Sequence, residues 1–208
     1  MSKVIASLGA GPQSRLLALA SRSFKRYARR HGYELELCRE VLDPTRPAPW
    51  SKIVLLRRLA ETHEVILWLD ADLVVVDSSC DIESELEPGK ALYLVEHHTR
   101  EGGMPNSGVM LMRGGADTIA FLDEVYAQED LVEHRWWENA AICRLLGYTL
   151  DPVGPGTQTP LLARTKLISP RWNSIPDAPA AKPRIRHYPG YSLKARALLM
   201  ARDELIRR

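Results

Sequence analysis

An α/β fold on a mostly parallel sheet is predicted by three features of this 208-residue chain. Short apolar runs alternate with helical patterns in the order strand, helix, strand, helix, strand. The third run, Val65 to Val76 (VILWLDADLVVV), is apolar except for two carboxylates placed two positions apart. Gly and Pro punctuate the joints, ending one element before the next begins. With 45% hydrophobic and 26% charged residues, the chain has material for one core and is neither disordered nor fibrous. The expectation is a single Rossmann-like domain over residues 1–208, with helices flanking the sheet.

Lys3 to Leu8 (KVIASL) reads as the first strand and Gly9 to Pro12 as a Gly-rich turn. A helix is predicted from Ser14 to about His31, where Leu16, Leu17, Leu19, Ala20, Phe24, Tyr27 and Ala28 recur mainly at spacings of three and four. Gly32 stops it, and Tyr33 to Leu37 (YELEL) alternates as a second strand. After a Pro-rich loop, Asp43 to Pro49, come a helix over Trp50 to Ala60 and a strand over Val65 to Leu69. Ala91 to Glu96 and Gly108 to Met112 are further strands; Ala116 to Ala127 and Trp136 to Leu146 are further helices. Asp151 to Pro189 is Pro-rich and expected to be irregular, with strand-like pieces at Leu161 to Ala163 and Arg184 to His187. Lys194 to Arg208 has helical spacing and a basic, solvated face.

A formal net charge of +2 is too mild to point to nucleic acid or an anionic membrane surface. Cys38, Cys80 and Cys143 lie far apart, which suggests neither a disulfide framework nor a zinc site. The first residues lack a signal-peptide core, and no stretch approaches the roughly 18 apolar residues of a membrane span. A soluble, cytoplasmic chain is expected, with oligomerisation left open.

The carboxylates in the third strand need a cause, because an unpaired buried carboxylate costs several kcal/mol. The strand is expected to end near Leu69, leaving Asp70 and Asp72 at its carboxyl end, where residues i and i+2 face the same way and one divalent cation suits both. The competing reading is a turn in which they accept backbone N–H groups. Ligands of open α/β sheets gather at this edge, which also holds Gly9, Gly11 and Arg15, equipment for a diphosphate.

Other motifs are weaker. Gly9-Ala10-Gly11 lacks the third glycine of the dinucleotide fingerprint, Ser14 standing there, and no phosphate-binding loop for ATP is present. His97-His98 alternate across an extended chain and are assigned a surface or loop role. Glu138 and Asn139 in a helix's first turn fit ordinary dipole and capping chemistry. His187 is followed by Gly190, Lys194 and Arg196, a glycine for close approach and two cations for phosphates.

Taken in order, FKRYARRHGYELEL (Phe24 to Leu37), WSKIVLLRRLAETHEVILWLDADLVVV (Trp50 to Val76), NSGVMLMR (Asn106 to Arg113), WWENAAICRLL (Trp136 to Leu146) and HYPGY (His187 to Tyr191) resemble the galactosyl/mannosyl/xylosyl transferase family and, more distantly, glycogenin-like enzymes. The resemblance implies a GT-A fold and metal-dependent, retaining transfer of a sugar from a nucleotide donor. By that resemblance Asp70, Asp72 and His187 hold Mn²⁺ or Mg²⁺, and Lys52 lies near the nucleotide. Asn106, Ser107 and Gly108 line the donor-sugar pocket, with Leu8, Gly9, Arg15, Asp70 and Ala71 as further donor contacts. Glu138 and Asn139 sit beside the anomeric carbon as the catalytic pair. Gly190 and Lys194 approximate a phosphate grip, but the lysine comes one residue late, with Arg196 as substitute.

A nucleotide-binding half over about 1–75 and a sugar- and acceptor-binding half over about 76–208 follow from the same likeness. Family relatives in eukaryotes carry an N-terminal anchor, so a compact bacterial enzyme is expected, acting on a glycan or small-molecule acceptor such as a secondary metabolite. A UDP-sugar is the preferred donor. Front-face attack, with the β-phosphate taking the acceptor proton, is the expected route. The alternatives are a nucleotidyltransferase, whose Gly-rich first loop GAGPQSR does not match, and a non-catalytic sugar-nucleotide-binding module.

Overall fold

The computed structural model describes residues 2–100 and 102–206. Strand β1 (Lys3–Leu8) leads through a short 3₁₀ turn into α1 (Ser14–His31), then β2 (Glu34–Cys38), α2 (Ser51–Ala60), β3 (Val65–Leu69) and β4 (Leu73–Val75). There follow β5 (Leu92–Thr99), β6 (Gly102–Arg113), α3 (Ala116–Tyr126), α4 (Trp137–Leu145), the pair β7 (Tyr148–Leu150) and β8 (Val153–Pro155), α5 (Pro160–Ala163), β9 (Thr165–Leu167), β10 (Ile185–His187) and α6 (Leu193–Ile206). Gly32 closes α1 in the left-handed region (φ 75°), donating its N–H to Ala28 O, as a helix C-terminus favours.

Six strands form the central sheet in the order β2-β1-β3-β6-β5-β9. Pairings β1–β2, β1–β3 and β5–β9 are parallel, whereas β6 runs antiparallel to β3 and β5, so the sheet is mostly parallel with one reversed strand. That reversal carries Asn106–Gly108 back past the end of β3. A second, two-stranded sheet pairs β4 with β10, setting His187 opposite Leu73.

Period-two alternation divides the core between the two faces of the sheet. Ile5, Leu67, Leu69 and Leu111 meet Leu17, Phe24 and Tyr27 of α1, together with Met200 of α6. Val4, Ile66, Trp68 and Met110 meet Trp50, Ile53 and Leu56 on the α2 side and Ile142 of α4. Both faces are covered, which is why these strands read as continuous apolar runs. No described helix is long and apolar enough to cross a membrane. All three cysteines are free.

Most predicted elements stand within a residue or two. The region expected to be irregular contains β8 and β9, three residues each, too short to leave a period. Leu161 to Ala163 is helical, not strand-like: Thr159 Oγ1 caps it by accepting from Leu162 N (3.1 Å), and Pro160 occupies its first position. His97 is buried rather than on the surface, its Nε2 bonded to Asn173 O at 2.6 Å; only His98 points outward. A carbonyl can only accept, so His97 holds its proton on Nε2, and burial pushes its pKa down to about 4.

Candidate active site

The site forms where β3 stops. Asp70 still donates its N–H to Gly108 O of β6 (2.9 Å), but the chain then turns through Ala71 and Asp72 into β4. Gly9, at the end of β1, closes against this turn: a Cβ there would lie 3.3 Å from Ala71 Cβ and 2.8 Å from Leu17 Cβ. Close packing is the reason for glycine at that position.

From the turn the two carboxylates face different partners. On the α2 side, Lys52 is almost fully buried, with Nζ 3.1 Å from Asp70 Oδ1, 2.7 Å from Glu138 Oε1 and 3.2 Å from both Ser107 O and Ser107 Oγ. Trp68, two residues before Asp70 on the same strand face, donates Nε1 to Asp70 Oδ1 at 2.7 Å. On the α6 side, Asp72 takes Arg196 Nη1 on Oδ2 (3.2 Å) and His187 Nε2 on Oδ1 (3.3 Å). His187 Nε2 is also 3.8 Å from Asp70 Oδ2. One ligand atom from each of Asp70, Asp72 and His187 falls within a cluster 4.8 Å across. Two carboxylates and an imidazole suit a divalent cation such as Mn²⁺ or Mg²⁺ by donor type.

The electrostatics follow from burial opposed by pairing. Desolvation alone would raise the Asp72 pKa, but the neighbouring His187 ring and the Arg196 guanidinium hold it below the ordinary value. Lys52 is kept charged: burial works to discharge it, and Asp70 and Glu138 together overcome this. Glu138 is pushed up, first by burial and then by Asp70, against the opposing pull of Lys52. Its second oxygen, Oε2, is buried without a partner. Such an oxygen is costly to leave without a partner.

Residues 11–102 match the model of the galactosyl transferase GMA12/MNN10 family. Among solved structures, a glycosyltransferase involved in glycosylation of the major capsid of PBCV-1 is 20% identical over 96% of this chain and 99% of that one, with a TM-score of 0.69. The chain has the GT-A fold. The galactosyltransferase LgtC, solved with donor and acceptor sugar analogs, is 11% identical over 95% of each chain, with a TM-score of 0.55. GlyE of Streptococcus pneumoniae TIGR4 is 14% identical over 100% of this chain and 66% of that one, with a TM-score of 0.56. No curated protein matches by sequence. These structural likenesses are likenesses of fold, and the family match agrees with the resemblance over the first two sequence blocks, Phe24 to Leu37 and Trp50 to Val76.

The fold brings most of the residues singled out in the sequence into one cluster: Lys52, Asp70, Asp72, Asn106, Ser107, Gly108, Glu138, Asn139 and His187. Asn139 is fully used there, since its Oδ1 accepts from Ser107 N (2.7 Å) and its Nδ2 donates to Pro105 O (3.3 Å), tying α4 to β6. Arg15, Gly190 and Lys194 are exposed, and among the described residues no hydrogen bond or ion pair links them to the cluster. Leu8 and Gly9 lie at its edge, at the end of β1. Arg196 reaches Asp72 where Lys194 does not. Two residues that the motifs left out complete the site. Trp68 holds Asp70, and Asn173, fully buried, touches both His187 and Asn106.

Gly108 makes a sharp prediction about this geometry. A Cβ at that position would lie 2.3 Å from His187 Cε1 and 2.7 Å from Nδ1, so the imidazole must move. Gly108→Ala is expected to weaken Mn²⁺ binding by about 10–100-fold, as displaced ligand shells do, with the far-ultraviolet circular dichroism unchanged. Electron paramagnetic resonance of free Mn²⁺ measures this, and wild-type affinity in the variant would contradict the placement of His187.

Proposed function

We propose that this enzyme transfers a hexosyl or pentosyl group from a nucleotide-sugar donor, preferentially a UDP-sugar, to a glycan or small-molecule acceptor with retention of anomeric configuration. The observation that supports this reading is the cation site of Asp70, Asp72 and His187 set directly against the buried Lys52–Glu138 pair. A divalent cation, Mn²⁺ or Mg²⁺, would be held by those three residues and supplies Lewis-acid neutralisation of the leaving diphosphate.

The chain's own groups do the rest. Arg196, beside Asp72, adds a fixed positive charge on the diphosphate side; its Nε is buried without a partner, leaving a donor for a phosphate oxygen. Glu138 Oε2 faces the reacting sugar, where a carboxylate stabilises positive charge developing at the anomeric carbon. Lys52 holds the other oxygen of Glu138 at 2.7 Å, which favours ionisation of the carboxyl and blunts it as a nucleophile. This supports front-face attack over a covalent intermediate on Glu138. Asn139 keeps the Pro105–Ser107 segment in place and so shapes the donor-sugar pocket.

Donor hydrolysis across a panel of nucleotide sugars, followed by proton NMR of the first anomer released, tests the reading. Turnover of a UDP-sugar in the presence of Mn²⁺, with the retained anomer first, is expected. Glu138→Gln should keep nucleotide affinity and lose about 10²-fold or more in turnover. Binding of a nucleotide sugar without turnover under any metal would leave a non-catalytic module instead.

A further inference from the structure

The hydrogen bonds around His187 can be oriented without assumption, because they begin at a backbone donor. Gly108 N–H can only donate, and it lies 2.9 Å from the Asn106 side-chain atom assigned as Oδ1, so that atom is the oxygen. The Asn173 amide atom 2.9 Å from the same oxygen must then be the nitrogen, Nδ2. That leaves Asn173 Oδ1 facing His187, 3.0 Å from Nδ1. An amide oxygen only accepts, so Nδ1 carries the proton. The other ring nitrogen, Nε2, is the one turned to Asp72 (3.3 Å) and Asp70 (3.8 Å). Flipping Asn173 would set oxygen against oxygen at Asn106, and flipping Asn106 would set donor against donor at Gly108.

We infer that Asn173 is a positioning residue: it fixes His187 as the Nδ1–H form, with Nε2 presented to the cation, and Asn106 fixes Asn173 in turn. The inference rests on reading His187 as a metal ligand. An acceptor behind a ligating histidine sets the tautomer, orients the ring and raises the basicity of the ligating nitrogen. Asn173 is built to hold still. It is fully buried, its N–H donates to Pro170 O (3.1 Å) and its carbonyl accepts from His97 Nε2 (2.6 Å). The relay also ties Asn106, in the proposed donor-sugar pocket, to the metal ligand, so that displacement of one disturbs the other.

The test is Mn²⁺ affinity of the protein without nucleotide, read by electron paramagnetic resonance of free Mn²⁺. Asn173→Leu preserves bulk but offers no acceptor and is expected to bind about 10–100-fold more weakly. Asn173→Asp restores an acceptor for Nδ1–H and is expected to recover at least wild-type affinity, although it buries a charge. If Asn173 only fills space, Asp should do no better than Leu, and that result overturns the inference. So does wild-type affinity in Asn173→Leu. Should the Leu variant fail to fold, Asn106→Ala carries the same expectation: a several-fold loss supports the relay, and no loss overturns it. Wild-type protein that binds no Mn²⁺ at all would instead sink the metal reading on which the inference stands.

Discussion

Asp72→Asn is expected to lower turnover by about 10³-fold or more, with little change in fold, because it removes one of two carboxylates from the proposed cation site while keeping the shape of the side chain. Asp72 is buried and held ionised by His187 and Arg196. An amide in its place still accepts one hydrogen bond from Arg196 but brings no charge to a cation or to Nε2 of His187. A factor of 10³ corresponds to about 4 kcal/mol of transition-state stabilisation, within what a Lewis acid at a departing diphosphate supplies. Steady-state hydrolysis of the preferred donor at saturating Mn²⁺ measures it. Turnover within a few-fold of wild type would take Asp72 out of the metal site.

Lys52→Met acts first on stability. Lys52 is the buried cation between Asp70 and Glu138, so its removal strands two carboxylates, one of them Glu138 at 5% exposure. Breaking a buried pair by deleting one partner costs about 3–5 kcal/mol, a large share of a domain's total stability. Urea unfolding of the metal-free protein should show a loss of that size. Adding Glu138→Gln to Lys52→Met removes one of the stranded charges and should regain part of the loss, whereas Glu138→Gln alone leaves Lys52 paired with Asp70. A double variant no more stable than Lys52→Met would show that the carboxylates are not what makes the lysine necessary.

How much of this was legible in the sequence depends on range. The end of β3 at Leu69 could be read because a buried apolar run cannot continue through Asp-x-Asp without a partner. The α1 and α2 helices could be read because their buried faces repeat at helical spacing. The clustering of Lys52, Glu138, Asn106 and His187 was legible only through the resemblance of separate blocks, since their spacings along the chain carry no contact information. Asn173 gave no signal: one amide in a Pro-rich stretch looks like any turn residue, and its role exists only once the fold brings Asn106 of β6 and His187 of β10 against it. The choice between Lys194 and Arg196 turns on helix phase. Two residues apart on a helix of 3.6 residues per turn they point about 200° apart, so one faces solvent when the other faces the site. Spacing from Gly190 cannot decide that without knowing where α6 begins. His97 and His98 show the converse, for alternation correctly separated them but could not say that the inward one was buried against Asn173.

Calorimetric titration with UDP, in Mn²⁺ and again after metal removal by EDTA, tests the central claim most directly. The account predicts binding that is at least about tenfold tighter with Mn²⁺, because Asp70, Asp72 and His187 would hold the cation that joins the diphosphate to the protein. Equal affinity with and without metal, or no binding of UDP or any other nucleoside diphosphate in either condition, would contradict it.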